Sequence, residues 1–84
     1  MPTPSEHAAS VDTFVTRAAN PALTPPLDDE YIAAEIHATL SAAIGTGDAY
    51  TTADALLAQA EARPVGLRRR TLQLARIHAA RAAR

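Results

Sequence analysis

The stretch Leu27-Asp28-Asp29-Glu30-Tyr31-Ile32-Ala33-Ala34-Glu35-Ile36-His37-Ala38-Thr39-Leu40-Ser41-Ala42-Ala43-Ile44-Gly45 decides the fold. Asp28 is placed to cap a helix, and Asp29 and Glu30 suit its positive end. Leu27 stands at the spacing that staples onto Ile32. Ile32, Ile36, Leu40, Ala43 and Ile44 recur at helical intervals and form one apolar stripe. Gly45 is a natural stop, and Thr46-Gly47-Asp48 reads as the turn that follows. This predicts a helix over residues 28–44.

Outward from that segment the same grammar repeats. Upstream, Pro21-Ala22-Leu23-Thr24-Pro25-Pro26-Leu27 is a stiff connector over 21–27, too rich in proline to be helical. Before it, Thr3, Pro4 and Glu6 have the spacing of a capping box with proline at the first helical position. Ala8, Val11, Phe14, Val15 and Ala18 follow at helical intervals, and Asn20-Pro21 ends the helix, predicted over 4–19. Downstream, Thr51…Asp54 reads as a second capping box. Ala53, Leu56, Leu57 and Ala60 make the stripe of a helix over 51–63, closed by Arg63-Pro64. A last helix over 66–83 follows. No segment alternates as a strand would. The expectation is an all-α protein: a single helical domain over 1–84, built as a small bundle or orthogonal array of about four helices.

Alanine supplies 21 of the 84 residues, and large apolar side chains are few. A core made largely of methyl groups is thin for so small a domain, so a homodimer or a complex with another protein is expected. There is no cysteine, which excludes disulfides, thiolate metal sites and cysteine nucleophiles. No apolar run approaches the roughly 20 residues that span a bilayer. Met1-Pro2-Thr3-Pro4-Ser5-Glu6 lacks the basic and apolar regions of a signal peptide. A cytoplasmic protein without membrane contact is expected.

Net charge is only −1, but the charges are segregated. Residues 1–62 hold all nine acids and one base, Arg17. Residues 63–84 hold seven arginines and no acid. On a helical wheel of about 100° per residue, Leu67, Thr71, Leu74, His78 and Ala82 fall on one side. Arg69, Arg70, Arg76, Arg81 and Arg84 share a broad opposite sector that includes Ile77, and Arg68 lies apart. Arg68, Arg69, Arg70, Arg76, Arg81 and Arg84 are therefore the candidate partner-binding residues. They suit an acidic protein surface, or they suit Asp28, Asp29, Glu30 and Glu35 of the chain itself. They also suit nucleic acid, because Arg68-Arg69-Arg70 open a helix that follows a helix and a turn. A membrane surface fits poorly, since the last helix lacks Trp and Phe.

Little else carries chemistry. His7, His37 and His78 lie on three predicted helices with no helical-spaced histidine partner, which favours ordinary boundary histidines over metal ligands. Ser5, Ser10 and Ser41 sit in no strand-turn-helix elbow. Gly45-Thr46-Gly47 lacks the lysine of a phosphate loop. Asp28-Asp29-Glu30 are helix-start acids. No catalytic set, metal site or cofactor is expected. The pentapeptides Ala34-Glu35-Ile36-His37-Ala38 and Ala75-Arg76-Ile77-His78-Ala79 share four residues, but one short match is not a repeat. The sequence thus points to a non-catalytic, self-associating helical protein-interaction or regulatory protein that uses its basic last helix for contact. The alternative is a DNA- or RNA-binding accessory protein using the last two helices.

Overall fold

A computed structural model describes residues 2–83. Four α-helices make up the described chain: α1 Pro4–Ala19, α2 Asp28–Ser41, α3 Asp48–Glu61 and α4 Arg69–Ala82, with a 3-10 turn at Val65–Leu67 before the last. There is no strand among the described residues. The fold is a small all-α bundle measuring 40 × 26 × 19 Å. Packing is most extensive between α3 and α4, then between α1 and α2, and the two pairs meet chiefly along α2 and α4.

Local chemistry explains most boundaries. Thr3 Oγ1 accepts the Glu6 N–H, and Glu6 Oε1 accepts the Thr3 N–H, so two otherwise orphaned donors are satisfied at the start of α1. At the start of α2 the cap position is Leu27, one residue earlier than the sequence suggests. Its N–H is taken by Glu30 Oε2 at 2.9 Å, and Asp28 is already helical. Leu27 itself is largely exposed, so it does not staple the helix.

Helix α2 stops at Ser41, not at Ile44. Gly45 and Gly47 both take positive φ, +92° and +96°, and turn the chain sharply into α3. Ile44 is thereby expelled from the stripe predicted for it and is 87% exposed. The turn is also tight. A Cβ on Gly45 would fall 2.9 Å from Pro4 Cδ, so the turn packs against the first residue of α1.

Helix α3 begins three residues before Thr51, at Asp48, with Gly47 in the cap position. The supposed capping box at Thr51…Asp54 is therefore helix interior. Asp54 lies on the inward face with Tyr50, Ala53, Leu57 and Ala60, all buried. These positions join Ile36, Leu40, Leu72, Ala75 and Ala79 in one core. Four of its nine residues are alanines, and all four lie on α3 and α4. Small side chains let those two helices approach closely.

Candidate functional site

The inward seam of α4 is Leu72, Ala75 and Ala79. This corrects the seam expected at Leu67, Thr71, Leu74, His78 and Ala82. Leu67 and Leu74 are exposed, while Thr71, His78 and Ala82 are half-buried at its margin. Choosing the face with the largest side chains misleads here, because α3 requires small ones.

Rotating the seam redistributes the arginines. Arg69 and Arg76 flank it on the side of α2, where Arg69 Nε lies 3.0 Å from Asp29 Oδ1 and Arg76 Nε 3.2 Å from Glu35 Oε1. The Asp29 carboxylate, by hydrogen bond and by charge, holds the Arg69 guanidinium above its ordinary pKa. Arg68 is half-buried, and its Nε donates to the Arg63 carbonyl at 2.8 Å. Arg81 donates to His78 Nδ1 at 3.2 Å. Arg70 is exposed, with no ion pair among the described residues. Arg84 lies outside the described residues. Of the four acids expected to face the arginines, Asp29 and Glu35 pair with α4. Glu30 pairs with Arg17 of α1. The Leu27 N–H, and then Arg17, lower the Glu30 pKa from its ordinary value.

What remains outward on α4 is a stripe of Arg70, Leu74, Ile77 and Arg81, with Leu67 exposed on the turn before it. Leu74 is 46% exposed and Ile77 60%. Neither terminal arginine has a carboxylate partner among the described residues. Apolar side chains between unpaired charges suit contact with another molecule better than contact with water.

A second constellation was not visible in the sequence. Histidine His7 of α1 is buried, only 1% exposed, and its Nδ1 lies 2.7 Å from Nδ1 of His37 on α2. Asp54 Oδ1 of α3 lies 3.0 Å from His7 Nε2, though off the line of a ring N–H, so the contact is electrostatic. Glu61 Oε1 lies 3.3 Å from His37 Nε2. The four side chains thus run carboxylate, imidazole, imidazole, carboxylate across three helices. Tyr50 packs its ring edgewise on His7 and donates its hydroxyl to the Pro2 carbonyl at 2.9 Å. Burial first, and then the facing His37, lower the His7 pKa, while Asp54 opposes them. The sequence did contain a faint signal. Asp54 stands on the apolar face of its helix, where an acid is rarely found without a partner.

A cleft of about 260 Å³ lies beside this network, lined by Phe14, Arg17, His37, Glu61 and Arg68 among others. Its charges close on one another: Arg17 on Glu30, His37 on Glu61, and Arg68 on a backbone carbonyl. Ser10 at its edge donates to the Glu6 carbonyl. Among the described residues no three His, Asp or Glu side chains converge as metal ligands would. No described helix is long and apolar enough to cross a membrane. Comparison with known protein families, curated proteins and solved structures finds no match.

Proposed function

We propose that the chain is a non-catalytic helical interaction protein that docks on a protein partner through the outward face of α4. The observation that carries this reading is the exposure of Leu74 and Ile77 between Arg70 and Arg81, neither of which has a carboxylate partner among the described residues. Apolar centres with charged flanks are the usual anatomy of a protein interface. Self-association is part of the proposal and uses a different surface. Leu23, Leu27 and Tyr31 are exposed around the connector and the start of α2, and Leu23 and Leu27 line a shallow depression with Pro25. The same reading places the protein in the cytoplasm.

Nucleic-acid binding is the alternative, and two observations weigh against it. In the cluster Arg68-Arg69-Arg70, the first two guanidiniums are already engaged, leaving Arg70 alone for phosphate. Helices α3 and α4 also share the most extensive helix–helix packing among the described residues. Helix-turn-helix pairs instead cross steeply over a short contact.

The test combines two measurements on the full chain. Light scattering over a wide concentration range is expected to show reversible self-association, weakened by Leu27→Ser with Tyr31→Ser. A photo-crosslinking amino acid at position 77, introduced in the native cell, is expected to form a discrete adduct with a protein. A monomer that forms no adduct would overturn the proposal.

A further inference from the structure

Resting on the reading of α4 as the contact face, we infer that its occupant is an acidic amphipathic helix of a different protein, seated along Arg70, Leu74, Ile77 and Arg81. The spacing of these residues is 4, 3 and 4, the interval at which one helix meets another along a continuous seam. All four point away from the Leu72, Ala75 and Ala79 seam and are exposed. A second copy of α4 does not satisfy this stripe in either orientation. In a parallel pair, equivalent positions face each other, so Arg70 meets Arg70 and Arg81 meets Arg81. In an antiparallel pair, the two-fold axis that sets Leu74 against Ile77 also sets Arg70 against Arg81. Both arrangements press guanidiniums together, and α4 contains no acid to relieve them. Like charges opposed across a helical seam select against self-pairing.

The complementary occupant follows from the same register. Its two inner positions are apolar, and its two outer positions are Glu or Asp. Arginine suits the flanks because its aliphatic stem covers apolar surface while its head reaches a carboxylate. A phosphate backbone would use Arg70 and Arg81 but leave Leu74 and Ile77 without partners. A bilayer surface would need a wider apolar face than two side chains offer. The seam spans about three helical turns, so the complex is small and its affinity modest.

The experiment uses the full chain and three designed probes in isothermal titration calorimetry. One is a helical peptide with leucine on the inner seam and glutamate at the flanks. The second is the same peptide with lysine at the flanks, and the third is a short DNA duplex. The glutamate peptide is expected to bind and the lysine peptide to bind at least about tenfold more weakly, or about 1.4 kcal/mol. Arg70→Glu with Arg81→Glu is expected to reverse that preference. Leu74→Ser with Ile77→Ser is expected to abolish binding of both peptides. All four side chains are exposed, so circular dichroism should show the variants folded. Equal binding of both peptides, binding of neither, or indifference to the charge swap overturns the inference. So does duplex binding that the charge swap removes. A crosslink from position 77 to a protein, obtained with no preference for the glutamate peptide, would leave the docking face standing and remove only the acidic helix. Failure of both would remove the two together.

Discussion

Nδ1 of His7 lies 2.7 Å from Nδ1 of His37, so a single proton must sit between two nitrogens that face each other. Each outer nitrogen faces a carboxylate, Asp54 for His7 and Glu61 for His37. Protonating both rings fully would set donor against donor at the centre. The centre of the pair therefore admits one donor and one acceptor, and not two donors.

The acid side of this balance is measurable. Burial and the facing His37 depress the His7 pKa below the ordinary 6.5. The unfolded chain then binds more protons than the folded one, and stability falls as pH drops below about 6.5 toward the folded value. Urea midpoints are expected to fall from pH 7.5 to pH 5.5. The Glu30 contribution behaves separately. Its depressed pKa lies below the ordinary 4.5, so its stabilisation is lost only at lower pH. NMR titration of the His7 ring should give a midpoint below 6.5, and a midpoint above that value would contradict this account.

Asp54 is 5% exposed, and its Oδ1 lies 3.0 Å from His7 Nε2. His7→Phe should set a hydrocarbon ring against the buried Asp54 side chain and destabilise the fold by about 1–3 kcal/mol. Adding Asp54→Leu should recover part of that loss, because the orphaned polar group is gone. Chemical denaturation of both variants would show it, and an additive or worse double variant would count against the pairing.

The two similar pentapeptides offer an internal control. Ile36 is fully buried, whereas Ile77 is 60% exposed. Ile36→Ala should cost about 2–5 kcal/mol, and Ile77→Ala no more than about 0.5 kcal/mol. Comparable losses in urea denaturation would mean that α4 is rotated from its described face.

The glycine turn is equally specific. Gly45→Ala meets both a positive φ and the Pro4 ring, whereas Gly66→Ala meets open space. The first should cost about 1–3 kcal/mol of backbone strain or more and lower the thermal midpoint with it. The second should leave the midpoint nearly unchanged. Thermal melts of the two variants side by side decide the matter.

The helical class and the four elements were legible because local signals do not need the rest of the molecule. Thr3 and Glu6 mark the start of α1, and Asn20-Pro21 its end, as capping and proline chemistry require. Two failures have one cause. Size and spacing mark Ile44 and Leu74 as core, but α2 ends at Ser41 ahead of the glycine turn, and α3 admits only alanine-sized neighbours on much of α4. In a chain this rich in alanine, periodicity cannot distinguish the alanines that pack from those that merely fill. The arginine cluster was visible as composition, but its division between Asp29, Glu35 and solvent depends on helix rotation. His7 and His37 stand 30 positions apart, and only the antiparallel packing of α1 on α2 brings them together.

That packing has a mechanical consequence. Each half of the molecule is a hairpin of sequence neighbours, α1 with α2 and α3 with α4. Beyond the α2–α4 contact, the first hairpin is fastened to the second by Asp54 on His7, Glu61 on His37, and the Tyr50 hydroxyl on Pro2. Two of these fasteners end on a histidine, and the two histidines face each other inside the first hairpin, whereas α3 and α4 meet through Ala53, Ala60, Ala75 and Ala79, which do not titrate. Mild acid should therefore open α1 against α2 at that contact before it disturbs the α3–α4 arm, so that one hairpin gives way like a clasp while the other holds.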